Sequence, residues 1–286
     1  MDIQWYPGHM SKAMRIMRED LKLIDVIIEL TDARVPQSSR NPDINSLANS
    51  KSRIIVLNKV DLADEAITSQ WRKYYEGEGL FVKEVNSKAG KNVKSIVDVI
   101  NQACAEKIER NKKRGIINRP LRAMIVGIPN VGKSTFINAL VGRTSAKTGN
   151  KPGVTKGKQW IKLNKNIELM DTPGVLWPKF DDEQIGLNLS FVGSIRDEIL
   201  NTYELSVKLV DFLMENYESY MIEKYKLADV KDSYDVLLQI AKFRGCKSKG
   251  DEYDTEKSAI ILIDDFRKGK IGRISLEKPE DFYGKQ

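Results

Sequence analysis

The chain has 286 residues, 41% hydrophobic and 30% charged, enough for one large domain or two modest ones with a substantial core. No apolar run approaches the length that spans a bilayer, the opening Met1-Asp2-Ile3-Gln4-Trp5 lacks a signal peptide's apolar core, and the isolated Cys104 and Cys246 offer neither a disulfide framework nor metal-ligand spacing. The chain therefore reads as cytoplasmic with no membrane span, and its net charge of +7 favours a polyanionic partner without naming one.

Met10 to Leu23 carries apolar residues at Met10, Ala13, Met14, Met17 and Leu21, a helical spacing. Asp25 to Thr31 reads as a buried strand ending at Asp32-Ala33-Arg34-Val35-Pro36. Arg53 to Leu57 is the next strand, ending at Asn58-Lys59-Val60-Asp61. Ala63 to Glu78 reads as a helix, Phe81 to Val85 as a strand, and Val93 to Arg114 as one long, basic-ended helix. Leu121 to Val126 is a strand that feeds Gly127-Ile128-Pro129-Asn130-Val131-Gly132-Lys133-Ser134, with a helix over Lys133 to Val141. Lys158 to Leu163 and Ile167 to Met170 form a strand pair that runs into Asp171-Thr172-Pro173-Gly174. Strands alternating with helices of this length predict an α/β domain over 1–178, with a mostly parallel sheet covered on both faces. After Trp177-Pro178 the pattern becomes helical, over Asp181 to Val192, Glu204 to Asn216, Tyr234 to Phe243 and Thr255 to Arg267, which predicts a smaller all-α C-terminal domain over 179–286.

Gly127-x4-Gly132-Lys133-Ser134 sits between a strand and a helix, the context a phosphate loop requires. The glycines let the N–H groups from Asn130 through Thr135 face phosphates, and the helix N-terminus adds a favourable dipole. Lys133 is placed to reach the β- and γ-phosphates, and the Ser134 hydroxyl to ligate Mg²⁺. Asp171 would hold the same Mg²⁺ through water, and the Gly174 N–H would sense the γ-phosphate. Alone, a Thr-Pro-Gly turn is structural; following a phosphate loop and a strand, it reads as switch II. Thr155, in Pro152-Gly153-Val154-Thr155, suits the switch I threonine that closes on Mg²⁺ and the γ-phosphate, with Thr148 as the weaker alternative. Asn58-Lys59-Val60-Asp61 supplies base specificity, because the Asp61 carboxylate can accept from guanine N1–H and the 2-amino group together. Ser87-Lys88-Ala89, after the next strand, fits the loop that supports the base, although its order departs from the usual Ser-Ala-Lys.

The guanine motif thus precedes the phosphate loop, the reverse of the order in ordinary GTPases. Both halves of a GTP site are present in exchanged order, which points to a circularly permuted P-loop GTPase. The residue after the Asp-x-x-Gly motif, a water-orienting glutamine in Ras-like proteins, is Val175, which cannot hydrogen-bond. His9 is the only histidine. It is either a surface or helix-cap residue or the group that orients the attacking water.

Three basic runs stand out. One spans Arg143 to Lys165, a second runs from Lys107 to Arg122, and the third is Lys242, Arg244, Lys247 and Lys249. Any one alone reads as a solvated face. Together, with one beside a switch, they point to RNA.

The motif order, the opening Trp5-Tyr6-Pro7-Gly8-His9-Met10, Asp32-Ala33-Arg34-x-Pro36 and Asn58-Lys59-Val60-Asp61 resemble the circularly permuted GTPases of the YlqF/RbgA family. So do the phosphate loop, Pro152-Gly153-Val154-Thr155 and Asp171-Thr172-Pro173-Gly174. The resemblance covers residues 1 to about 180, and a helical tail also suits that family. It implies a monomeric bacterial factor that binds the immature large (50S) ribosomal subunit and its rRNA in the GTP state, promotes late maturation, and leaves after hydrolysis to GDP. It further implies His9 as the catalytic group, a hydrophobic residue at Val175, and a K⁺ ion beside the phosphates held by Asn130. Two rival readings stay open: a GTPase acting on another RNA, and a GTP-gated RNA-binding scaffold whose hydrolysis is incidental. Asp61 argues against an ATP-using phosphotransferase, since adenine offers no matching donor pair.

Overall fold

The computed structural model describes residues 8–47, 51–116, 119–142, 159–177, 180, 182–248 and 250–282, and the side chains of the same residues apart from 8–13, 45–47 and 159. Its centre is a six-stranded sheet of β1 (Val26–Asp32), β2 (Ser52–Asn58), β3 (Phe81–Val85), β4 (Leu121–Gly127), β5 (Gln159–Asn164) and β6 (Ile167–Asp171), in the order β3-β2-β1-β4-β6-β5. All neighbours are parallel except β5 and β6. Every residue of β1 is buried, as expected of a central parallel strand covered on both faces. Strand order runs outward from β1 to β3, then returns to β4 beside β1 and proceeds to the opposite edge. The reversal between β1 and β4 is where ligands bind at the carboxyl ends of open α/β sheets.

The helices of this part are α1 (Gly8–Asp20), α2 (Pro42–Leu47), α3 (Glu65–Gly77), α4 (Ile96–Ala103), α5 (Ala105–Lys113) and α6 (Lys133–Val141), and α7 (Glu183–Phe191) begins in it. In α3, Asp64 caps the N-terminus by accepting from Ala66 N and Ile67 N, at 2.8 and 3.1 Å. The buried Ile67, Trp71 and Tyr75 of α3 pack against Ile55 and Leu57 of β2.

The expected single helix over Val93 to Arg114 is two. At Cys104 the chain turns (φ −105°, ψ 10°), separating α4, which buries Ile96 and Ile100, from α5, which buries nothing. The apolar stripe ends there, so the second half has no face to press on the sheet. Helix α2 escaped the sequence reading because six residues carry too little periodicity.

The chain divides into two compact units, one of Met1–Gly186 with Ser275–Gln286 and one of Leu187–Ile274. This division differs from the expected boundary at 178/179, above all because the last stretch belongs with the sheet. Leu276 N donates to Arg34 O at 2.8 Å, Trp71 Nε1 donates to Glu277 O at 3.0 Å, and the Phe282 ring lies 5.8 Å from that of Trp71. Polar Ser275, Glu277 and Lys278 hide this segment from a search for apolar periodicity.

The second unit contains α8 (Thr202–Asn216), α9 (Glu218–Tyr225), α10 (Ser233–Arg244) and α11 (Thr255–Arg267). Side-chain oxygens of Asn201, Asp232 and Asp254 cap α8, α10 and α11. Its core joins Leu205, Leu209, Leu213, Leu237, Ile240, Leu262 and Phe266, all buried. Among its described residues the only strand-like pairing is one bridge between Lys247 and Tyr253. Helix α9, absent from the sequence reading, is only eight residues long.

Candidate active site

Register sets the two halves of the site side by side. Asp32, the last residue of β1, pairs with Asn58, the last of β2, and Leu30 of β1 pairs with Gly127, which opens the phosphate loop. Asn58 then joins three loops. Its buried amide donates from Nδ2 to Val131 O at 2.8 Å, and its Oδ1 accepts from Ser87 N at 3.2 Å and Ser87 Oγ at 2.7 Å. One side chain therefore ties the guanine motif to the phosphate loop and to the loop after β3.

Lys59 adopts the left-handed region (φ 61°) at the strand end. Its Nζ donates to Asn130 O at 2.9 Å and lies 2.9 Å from Asp32 Oδ2. Asp32 also receives a two-pronged bond from Arg34, Nε to Oδ1 at 2.9 Å and Nη2 to Oδ2 at 2.8 Å. Burial alone would raise the Asp32 pKa, but the charges and hydrogen bonds of Arg34 and Lys59 outweigh it and hold the carboxyl well below the usual range. The sequence singled out Asp32 and Arg34 as a motif without giving them a place in the site. Their position at the end of a strand adjacent to β2 was the available signal. Asp61, Lys88 and Ala89 are exposed, whereas Ser87 is buried.

The phosphate loop turns through positive φ at Asn130 (59°) and Gly132 (101°) before α6 begins at Lys133. Gly132 is required twice over: a Cβ there would lie 2.6 Å from Asn58 Nδ2, and the backbone conformation is one L side chains rarely adopt. Lys133 is buried and donates to Gly127 O at 3.0 Å and Ile128 O at 3.3 Å. Burial lowers its pKa to about 8, with the Asp171 charge offsetting part of the shift. Val131 is buried, while Ser134 and Thr135 are half-buried in the first turn of α6.

Asp171 ends β6, beside Ile125 of β4. Burial raises its pKa against the opposing pull of Lys133 and of the Thr172 N–H. Its Oδ1 is buried and has no hydrogen-bond partner among the described residues. Beyond it, Gly174 lies so close to the phosphate loop that an added Cβ would be 2.9 Å from both Lys133 Nζ and Pro129 N. Val175 is 2% exposed, and its N–H donates to Gly127 O at 3.4 Å. Thr148 and Thr155 lie outside the described residues. The backbone of His9 falls in the first turn of α1, and its side chain lies outside them too.

Several members of the basic runs are held by acids. Lys107 and Arg119 pair with Asp25, and Arg122 pairs with Glu168 while stacking its guanidinium 5.0 Å over the Trp160 ring. In the third run, Arg244 pairs with Asp265 and Lys247 with Asp251, whereas Lys242 is exposed.

A phosphate loop and a guanine motif, brought together at the point of strand-order reversal although the second precedes the first in the chain, define a circularly permuted P-loop GTPase. Residues 122–242 match the family described as 50S ribosome-binding GTPase, a match that opens at the phosphate-loop strand and leaves the guanine motif outside. The chain is 45% identical over 282 residues to ribosome biogenesis GTPase A of Bacillus licheniformis, covering 98% of this chain and 100% of that one. Among solved structures, GDP-bound TM YlqF superposes with a TM-score of 0.67 at 26% identity, over 93% of this chain and 100% of that one. GNP-bound YlqF from T. maritima gives 0.65 at 28% identity, over 94% and 99%. The chain belongs to the ribosome biogenesis GTPase A family, YlqF/RbgA.

Proposed function

We propose that this GTPase serves late assembly of the bacterial 50S subunit, binding the immature particle and its rRNA in the GTP state and leaving as GDP is formed. Full-length similarity to proteins named for ribosome biogenesis supports the partner. The observation that carries the enzymatic reading is Asn58, whose one amide binds the phosphate loop and the base-side loop at once. The protein acts as a monomer in the cytoplasm. No described helix is long and apolar enough to cross a membrane.

In this reading Asp61 accepts from guanine N1–H and the 2-amino group, and Ser87, Lys88 and Ala89 flank the base. Backbone N–H groups from Asn130 to Thr135 cradle the phosphates, Lys133 neutralises the β- and γ-oxygens, and the Gly174 N–H meets the γ-phosphate. Ser134, Thr155 and Asp171 would hold Mg²⁺. The buried, unpartnered Oδ1 of Asp171 suits that task, since a carboxylate oxygen there has lone pairs to give to a metal-bound water. Mg²⁺ supplies neutralisation of the charge that develops between the β- and γ-phosphates. The Asn130 side-chain oxygen, a hard donor, would take K⁺. His9 orients the attacking water, a task the buried, apolar Val175 cannot perform. The helical segment, through exposed Lys242 and its neighbours, contacts RNA.

Co-sedimentation with immature large-subunit particles tests the partner. Association should require a non-hydrolysable GTP analogue and weaken steeply with salt. Equal association with GDP would refute a GTP-gated cycle. The buried Val175 also supports a second reading, a GTP-gated RNA-binding scaffold whose hydrolysis is incidental. Particle-independent hydrolysis that His9→Ala leaves unchanged would favour it.

A further inference from the structure

The segment that follows the helical unit returns to the sheet with a buried carboxylate at its centre. Glu277 is 3% exposed. Its Oε1 accepts from Gln37 N and, at 3.0 Å, from Ser38 N, while its Oε2 accepts from Ser38 Oγ at 2.6 Å. Consecutive backbone N–H groups converging on one anion form a nest, which fixes the loop that supplies them. The same loop runs back toward Asp32: Asp32 N donates to Ser39 Oγ at 3.1 Å, and Leu276 N holds Arg34 O at 2.8 Å. Asp32 in turn pairs with Lys59 at 2.9 Å, and Lys59 donates to Asn130 O of the phosphate loop at 2.9 Å. From the far side of the loop, Asn41 Nδ2 comes within 3.5 Å of Val175 O in switch II.

We propose that Glu277, far beyond the last nucleotide motif in the chain, is a positioning residue of the GTP site: it fixes the loop over 34–39, and thereby holds Asp32 and Lys59 against the phosphate loop. The inference rests on the base-side reading of Asn58-Lys59-Val60-Asp61 given above. A carboxylate is a costly group to bury for stability alone, since an apolar side chain would be desolvated at lower cost. What the charge adds here is directional hold on N–H groups that adjoin the Asp32–Arg34 pair. Because Ser275 directly follows the helical unit of Leu187–Ile274, the nucleotide site is linked in the chain to that unit at both of its ends, through switch II and through Glu277.

The test uses the full chain with fluorescent GDP, at a temperature where circular dichroism shows every variant folded. Glu277→Gln keeps the shape and removes the charge, while Ser38→Ala removes a single hydroxyl bond and is the milder change should the first fail to fold. Both should speed GDP dissociation and weaken GDP and GTP alike, by about 3- to 30-fold for Glu277→Gln and less for Ser38→Ala. In an Asp32→Asn background the same substitutions should add less than about twofold, because the path is already cut. Ile100→Ala, a core truncation in α4, should lower the melting temperature without changing the dissociation rate. If Glu277→Gln and Ser38→Ala behave like Ile100→Ala, or if their effects multiply unchanged in the Asp32→Asn background, the proposal is wrong. Asp61→Asn measured in parallel separates the two readings. Lost guanine preference there, with normal affinity in the Glu277 and Ser38 variants, overturns the positioning role alone; retained preference overturns the base-side assignment beneath it.

Discussion

Lys133 shows what burial does to a charge. Removed from water and only partly compensated by Asp171, it loses its proton near pH 8 instead of 10.5. Between those values the unfolded chain holds a proton that the folded chain has released, so this residue's contribution to stability rises with pH across that window in the nucleotide-free protein. Phosphate bound as proposed would restore the charged form. Titration calorimetry in buffers of different ionisation enthalpy should therefore show proton uptake on GDP binding at pH 8.5 and almost none at pH 6.5. Equal uptake at both values would mean that burial does not discharge Lys133 ahead of nucleotide binding. Gly132 gives a steric prediction at the same scale. Gly132→Ala places a Cβ 2.6 Å from Asn58 Nδ2 at φ 101° and should cost about 1–3 kcal/mol of stability, with GDP affinity falling more than about tenfold. Thermal melts and equilibrium binding check it, and a variant with native stability would show that the loop yields more easily than its contacts suggest.

At the scale of elements, the carboxyl ends of β1, β2 and β4 hold the site together, with Asn58 as the link between loops from both halves of the chain. Asn58→Ala leaves Val131 O and the Ser87 hydroxyl without their partner and should destabilise by about 1–3 kcal/mol. Asn58→Asp should lose at least as much, because it turns an acceptor toward the Val131 carbonyl. Chemical denaturation of the three proteins orders them, and a mild effect in Asn58→Asp would contradict the bonding pattern. The strands were legible in the sequence because β1, β2 and β4 are largely buried and carry the short apolar runs Val26-Ile27-Ile28, Ile54-Ile55-Val56-Leu57 and Ala123-Met124-Ile125-Val126. The phosphate loop and the guanine motif were legible because their residue types are tied to phosphate and guanine chemistry. Less legible were short or locally interrupted elements and features set by tertiary contact. Helices α2 and α9 are too short to show a period, the apolar stripe simply stops at Cys104, and the docking of Glu277 onto Gln37 and Ser38 depends on partners distant in sequence. Asp32 and Arg34 were visible as a motif, yet their pairing with Lys59 needed the strand register.

Across the whole molecule, the exchanged motif order decides what is attached to the site. The loop over Asp171-Thr172-Pro173-Gly174 continues through Val175-Leu176-Trp177 into the helical unit, and the chain returns from that unit to Glu277. If γ-phosphate contact at Gly174 is transmitted along the chain, crosslinks between the residues around Lys242 and RNA should differ between GDP and a non-hydrolysable GTP analogue. Identical crosslinks would rule out such transmission. The central claim, that exchanged halves build one GTP site which works on the large ribosomal subunit with His9 in place of the missing glutamine, meets its most direct test in single-turnover GTP hydrolysis. The panel compares wild type with His9→Ala, with and without immature large subunits, in K⁺ and in Na⁺. Wild type should be stimulated by the particles, more strongly in K⁺ than in Na⁺, and His9→Ala should lose that stimulation. A rate that neither the particles nor the His9 substitution alters would contradict the claim.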